Sequence, residues 1–460
     1  MSLENKNRVY FLGIGGIGMS ALARYFHLMG KNVAGYDRYR TDLCIELEQS
    51  GIEIHYQEDI SLIKEEFKDV KNKENILIIV TPAVPEDHKE LIWFRKNGFD
   101  IRKRAVVLGE ITRLNSTIAV AGTHGKTTIS SCIAHLYTSS GTGCNAFLGG
   151  ITKNYNTNFL SDKSSKIAVV EADEYDRSFL QLSPDAAIIT AVDADHLDIY
   201  ENLNNVTEAF NQFARKIKKG GKLLIKKEAC FTPENMGAEI AYYSIYSDSD
   251  CSISRLELKN GKFTFNLHTP WGNIEKITPG VIGKYNVENV VAAASLCLWN
   301  GMDKNAIRDG LASFTGVRRR FDFQETGNAK IFIDDYAHHP EELKAFISSV
   351  KEVFPDKKIT GIFQPHLFSR TRDFADGFGE SLSLLNELML LEIYPAREEP
   401  IPGITSDTIL KRVKIERKKI YNKTELLETI GLIKPEVLLT MGAGDIDQLV
   451  QPILKIVKLF

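Results

Sequence analysis

The sequence predicts an α/β protein of three domains built on mostly parallel sheets, and three observations carry that prediction. Short apolar runs alternate with segments of helical spacing along most of the chain, the pattern of parallel strands wrapped by helices. Two glycine-rich turns, at Gly13–Gly18 and Gly122–Gly125, each lead from such a run into a helix. The period changes to two only between about residues 241 and 279, so antiparallel structure is confined to one place. With 460 residues the chain exceeds the roughly 250–300 residues at which single cores stop growing, which calls for roughly two to four domains.

The first block, 1–112, opens with a strand over Val9–Leu12, and GIGGIGMSALARYF then starts a helix. Strands follow over Asn32–Tyr36, ending at Asp37, and over Ile76–Val80; the Lys- and Glu-rich stretch 61–75 reads as a solvated helix face. The second block, 113–316, has strands over Thr117–Ala121, Ile167–Val170 and Ala186–Thr190 and a helix over Ile129–Tyr137. In CSISRLELKNGKFTFNLHT, Asn260-Gly261 between alternating runs predicts a hairpin, expected as an antiparallel edge on the parallel sheet. Helices return over Glu288–Trp299 and Lys304–Ser313. The third block, 317–460, offers strands over Lys330–Ile333, Lys358–Phe363, Glu387–Ile393 and Glu436–Thr440, each followed by a helical pattern.

Composition is that of a globular protein, 43% hydrophobic and 25% charged, with a net charge of −3 that gives no pull toward nucleic acid or membrane. Six cysteines without C-x-x-C spacing read as reduced thiols of a cytoplasmic protein. The N-terminus lacks a secretory apolar region, and no apolar run reaches the ~18 residues of a membrane span.

The chemistry centres on Gly122-Thr123-His124-Gly125-Lys126-Thr127-Thr128. A glycine turn between strand and helix presents backbone N–H groups to an anion. Lys126 supplies a charge for the outer phosphates of ATP, and Thr127 a hydroxyl for Mg²⁺. The longer P-loop, G-x-x-x-x-G-K-[ST], would need glycine where Val120 stands, so this is a shortened GTxGKT form. Glu171 in EADEYD and His196 in DADHLD follow the next two strands, and ligands of open α/β sheets sit beyond such strand ends. With Thr127 they form a candidate Mg²⁺ site. Replacing Lys126 by Ala is expected to abolish turnover with little loss of folding.

Gly13, Gly15 and Gly18 fit G-x-G-x-x-G, and Asp37 fits a ribose-binding acid. That spacing serves NAD or any pyrophosphate, including that of a UDP-sugar; the second nucleotide loop weighs against an oxidoreductase. In the third block, one arginine of Arg318-Arg319-Arg320 could stabilise transferring phosphoryl charge. His338 and His339, before Pro340, could belong to a zinc site, or His338 could act as a base toward an amine.

Taken in order, GIGGIGMSALA, AGTHGKTT, LGGITKNYN, EADEYDRSFL, DADHLDIY, GKYNVENVVAAA, RRRFDF, DDYAHHPEE, FQPHLFSRTRDF, YPAREEPIPGI and GAGDI resemble the Mur ligase family over nearly the whole chain. The resemblance implies an N-terminal Rossmann-like domain for a UDP-sugar, a central P-loop ATPase-type domain and a C-terminal Rossmann-like domain for an amino acid. It implies ATP-dependent ligation through an acyl phosphate in peptidoglycan synthesis, and domain closure that excludes water. DDYAHHP and YPAREEPIPG point to the branch that joins L-alanine to UDP-N-acetylmuramate; a recycling ligase that attaches a preassembled peptide is the nearest alternative.

By the same resemblance Gly15, Gly16, Ile17, Gly18 and Asp37 face UDP, and Asn286 and Asn289 contact adenine. Arg320 and Asp334 approach ATP from the third domain. Lys126, Glu171, His196 and His338 are the catalytic candidates, and Tyr336, His338, Arg370 and Arg372 line the amino-acid pocket. Leu367 stands where the family often has Arg, with Arg372 as a substitute, and Gly283-Lys-Tyr-Asn286 replaces the usual GxHN. The carbamylated lysine of other members is expected to be absent, because no lysine precedes Lys216 in ENLNNVTEAFNQFARK. A monomer or weak homodimer is expected.

Overall fold

In a computed structural model that describes residues 3–193, 197–234, 237–324, 326, 330–396 and 398–460, the chain forms two units. The first comprises Met1–Ser254, Leu267–Glu275 and Val290–Leu311; the second comprises Arg255–Asn266, Lys276–Asn289 and Ala312–Phe460.

The first unit holds two sheets. The N-terminal sheet is parallel throughout, in the order Glu53–His55, Asn32–Tyr36, Arg8–Leu12, Ile76–Val80, Asp100–Lys103. Strand order reverses at Arg8–Leu12, so the Gly13–Gly18 turn emerges at the point where such sheets bind ligands. The seven-stranded sheet runs Glu239–Tyr243, Lys222–Lys226, Ala186–Ile189, Ser116–Ala121, Ile167–Glu171, Asn145–Thr152, Thr157–Leu160. Only its last pair is antiparallel. Interior strands such as Ile76–Val80 are buried on both faces, which explains their unbroken apolar runs.

Both sheets of this unit share one core. Tyr25, on the helix Ile17–Leu28, lies 5.4 Å from Phe147, which lies 5.1 Å from Phe159. Asn158 donates from Nδ2 to Ile17 O at 2.6 Å and to Ser20 Oγ at 2.9 Å, so the antiparallel edge is hydrogen-bonded to the helix that follows the first glycine turn.

The second unit carries a six-stranded sheet, Asp322–Gln324, Ile331–Asp335, Val437–Met441, Ile359–Phe363, Glu387–Leu390, Lys418–Ile420. Only the first pair is antiparallel.

Two expectations change. The Asn260-Gly261 hairpin forms, with both residues at positive φ (51° and 76°) as a type I′ turn requires. Its strands Ser252–Lys259 and Lys262–Thr269 join Gly272–Ile277 in a separate three-stranded sheet, and the antiparallel edge of the central sheet is Thr157–Leu160. The stretch 61–75 is no α-helix. It folds as short 3₁₀ turns, two of them started by the side chains of Asp59 and Asp69, and Ile63 and Phe67 turn inward, 2% and 1% exposed. Among the described residues no helix is long and apolar enough to cross a membrane.

Candidate active site

The strand Ser116–Ala121 lies in the middle of the seven-stranded sheet and delivers the phosphate loop at its carboxyl end. Gly122 and Gly125 adopt φ of 128° and 81°, a region that favours glycine. A Cβ at Gly122 would lie 2.0 Å from Thr190 Oγ1, so the loop can close on the neighbouring strand end only with glycine there. The Thr190 hydroxyl donates to the His124 carbonyl, and Thr123 N donates to Ala191 O at 3.2 Å. The helix Lys126–Ser139 then begins at Gly125 with no side-chain cap, the arrangement that directs its first amides toward an anion.

Lys126 Nζ donates to Gly122 O at 2.6 Å and to Glu174 Oε1 at 2.8 Å. Burial works against the ammonium, yet the charges of Glu174, Asp173 and Glu171 outweigh it and hold Lys126 above its ordinary pKa. Glu174 is 2% exposed, and the Tyr200 hydroxyl anchors its turn by donating to the Glu174 carbonyl at 2.6 Å. Glu171, the last residue of its strand, accepts from Thr127 Oγ1 at 3.1 Å and from Gly149 N at 2.9 Å. Asp193 accepts from Thr123 Oγ1 at 3.0 Å and pairs with His124 Nε2 at 3.4 Å. Thr128 is buried in the first helical turn. Lys126, Thr127 and Glu171 are thus brought together, while His196 lies outside the described residues. Glu174 and Asp193 were missed by sequence reasoning; the third carboxylate of EADE was the available signal for Glu174.

At the first glycine turn, Asp37 Oδ2 accepts from Gly15 N at 2.7 Å and its Oδ1 from Tyr39 N at 3.1 Å. Asp37 therefore ties the glycine loop to the second strand. Gly16 starts the helix without a side-chain cap, and Ile17 and Gly18 form its first turn.

In the second unit, Asn286 and Asn289 are buried on one helix, Lys284–Trp299. Asn286 Nδ2 donates to Ile282 O at 2.8 Å and Asn289 Nδ2 to Asn286 Oδ1 at 3.3 Å. Asp334, 1% exposed, pairs with Arg319 Nε at 3.2 Å and accepts from Thr440 Oγ1 at 2.7 Å. Arg320 instead lies over the Tyr336 ring at 4.9 Å, with Arg319 also near that ring at 5.1 Å. Burial raises the Asp334 carboxyl, partly offset by Arg319. Asp335 accepts from Tyr285 Oη, Phe321 N and Ala337 N, and burial still lifts its pKa to about 6.

His338 Nδ1 lies 3.0 Å from Tyr336 O and 3.2 Å from Glu342 Oε2. Its ring is 6.2 Å from that of His366, which stacks on Tyr394. Burial, with His338 and Arg370 nearby, lowers His366 to about 4. Arg370 is buried, whereas Arg372 is half exposed and pairs with its neighbour Asp373 at 2.6 Å. His339 serves as the cap of the helix Pro340–Val353, accepting from Glu341 N. Among the described residues no cluster of three His, Cys, Asp or Glu side chains could hold a metal, so nothing supports zinc at His338 and His339.

Fold and site together define a multidomain α/β nucleotide-binding protein with a GTxGKT phosphate loop and a carboxylate on its threonine. The chain belongs to the Mur ligase family: the family catalytic-domain model matches residues 8–115, the middle-domain model 120–297 and the glutamate ligase domain model 319–444. It is 49% identical to UDP-N-acetylmuramate–L-alanine ligase of Parabacteroides distasonis, covering 99% of this chain and 98% of that protein. The enzyme of the same name from Flavobacterium johnsoniae is 44% identical, covering 100% and 99%. The crystal structure of UDP-N-acetylmuramate–alanine ligase from Thermotoga maritima superposes with a TM-score of 0.81 at 26% identity, over 97% of this chain and 98% of that one. A murein peptide ligase from Psychrobacter arcticus, 20% identical with a TM-score of 0.69, shares the fold.

Proposed function

We propose that this protein is an ATP-dependent ligase that joins L-alanine to the carboxylate of UDP-N-acetylmuramate in cytoplasmic peptidoglycan precursor synthesis. The observation that carries this reading is near-full-length identity of 43–49% to relatives bearing that name, combined with the Lys126–Thr127–Glu171 arrangement. A carboxylate is a poor acyl donor, so ATP phosphorylates it and the alanine amine displaces phosphate from the acyl phosphate. The phosphate loop and Lys126 hold the triphosphate and offset repulsion between the two anions.

Thr127 Oγ1 and the Glu171 carboxylate are hard oxygen donors side by side at a strand end, which fits Mg²⁺, with His196 as the third candidate. Mg²⁺ held there would neutralise charge on the transferring phosphoryl group. Gly15, Gly16, Ile17, Gly18 and Asp37 take the UDP-sugar, and Asn286 and Asn289 the adenine. Tyr336, His338 and Arg370 form the alanine pocket, where the Arg370 guanidinium pairs with the substrate carboxylate. Arg320, over the Tyr336 ring, acts on phosphate, and Asp334, paired with Arg319, acts through that arginine.

Phosphate release measured with ATP, Mg²⁺, UDP-N-acetylmuramate and L-alanine tests the reading. Release should require both the sugar nucleotide and alanine; release without the sugar nucleotide would sink it. Turnover with the tripeptide in place of alanine would instead identify a recycling ligase.

A further inference from the structure

The third glycine of the first turn has an unexpected neighbour. In a dinucleotide-binding turn that glycine lets helix and strand pack closely. Here a Cβ on Gly18 would lie 2.5 Å from Arg104 Nη1 and 3.2 Å from Arg104 Cδ and Cζ. Gly18 therefore makes room for a guanidinium. Arg104 opens the helix Arg104–Arg113, directly after the edge strand Asp100–Lys103. That strand is parallel to the rest of the sheet, so its carboxyl end faces the same side as the glycine loop.

The guanidinium is anchored on its other side by the acidic turn of the phosphate site. Arg104 Nη2 lies 3.6 Å from Asp173 Oδ2, an ion pair too long for a hydrogen bond, and Lys103 Nζ lies 3.3 Å from Asp176 Oδ2. Asp173 adjoins Glu174, the partner of Lys126. Arg104 is 23% exposed, so it is aimed by its surroundings yet reachable from solvent.

We propose that Arg104 binds the diphosphate of the nucleotide sugar, its planar fork laid over Gly18 and aimed by Asp173. This rests on the reading that the glycine loop takes the UDP-sugar. A guanidinium matches two phosphoryl oxygens at once, which an ammonium does not. The residue thereby distinguishes a diphosphate from a monophosphate, a task backbone amides of the loop perform less selectively.

The test uses the full-length enzyme, with UDP and UMP as competitive inhibitors against UDP-N-acetylmuramate in the phosphate-release assay. In the wild type UDP should inhibit more tightly than UMP. Arg104→Ala should raise the KM for the sugar nucleotide about 10- to 100-fold, the effect of one lost charge-assisted contact, and shrink the UDP-to-UMP preference by a similar factor. The KM for L-alanine should stay within about twofold.

If Arg104→Ala does not fold, Arg104→Lys is read instead. It keeps the charge without the fork and should still lose part of the preference. An unchanged UDP-to-UMP preference in the folded variant would overturn the proposal, leaving Arg104 a structural ion-pair partner. Absence of sugar-nucleotide-dependent turnover in the wild type would instead overturn the functional reading on which it rests.

Discussion

Gly149→Ala perturbs Glu171 without changing it. Gly149 is exposed, and the three atoms nearest to an added Cβ all belong to Glu171, with Oε2 at 2.1 Å, Cδ at 2.6 Å and Oε1 at 2.8 Å. Ordinary contact needs about 3.4 Å, so the carboxylate must withdraw by roughly 1 Å and surrender its 2.9 Å bond from Gly149 N. The backbone there needs no left-handed conformation, so the fold should survive and thermal unfolding should shift by no more than about 4 °C. A displacement of about 1 Å in a positioned catalytic group costs on the order of 10²-fold in rate. The expected result is a kcat reduced about 100-fold, a raised Mg²⁺ requirement and an unchanged KM for L-alanine, measured by phosphate release across an Mg²⁺ titration. A kcat within about threefold of wild type at every Mg²⁺ concentration would refute the placement of Glu171 at the metal.

Lys126→Met should abolish turnover, but the ion pair with buried Glu174 changes the expectation of little folding loss. Removing the Lys126 ion pair from buried Glu174 should destabilise by about 3–5 kcal/mol in denaturant titrations, and Lys126→Met/Glu174→Gln should recover much of that stability with no recovery of activity. Arg319→Ala should lower stability by a similar amount, about 3–5 kcal/mol, because it removes the ion-pair partner of Asp334 at 1% exposure, and Arg320→Ala should reduce kcat in the phosphate-release assay. On the helix Lys89–Lys96, which packs by the N-terminal sheet, burial lifts fully enclosed Glu90 to about 7, against the bond from Tyr10, with Glu58 and Asp59 adding to the rise. The folded state thus favours the protonated acid: that contribution is complete below about pH 4.5 and is lost as pH rises through 7. Wild-type stability should therefore decline across this window by about 3 kcal/mol relative to Glu90→Gln, as followed by urea denaturation at each pH. Parallel declines in both proteins would refute the assignment.

What the sequence disclosed and what it hid follow from the same physics. Asn32–Tyr36 and Ile76–Val80 are legible to the residue because interior parallel strands are apolar on both faces. The edge strands Glu53–His55, Asp100–Lys103 and Lys418–Ile420 escape notice because edges are short and charged, which protects them from pairing with other chains. That blind spot reaches the site. Arg104 follows the strand DIRK, and without recognising that strand nothing marks the arginine as standing at a strand end beside the glycine loop. The phosphate loop was readable because glycines, lysine and threonine act through backbone geometry local to one turn. Glu174 and Arg319 were not, since each acts through a partner that only the fold supplies: Lys126 lies 48 positions from Glu174, and Asp334 lies 15 from Arg319. Local motifs therefore identify the groups that meet the nucleotide, while the side chains that aim and neutralise those groups become visible only in three dimensions. For the same reason Arg319, adjacent to Arg320 in sequence, separates from it in role. Both guanidinium groups lie over the Tyr336 ring, but Arg319 pairs with buried Asp334 and Arg320 with Glu342, a distinction that RRR cannot encode.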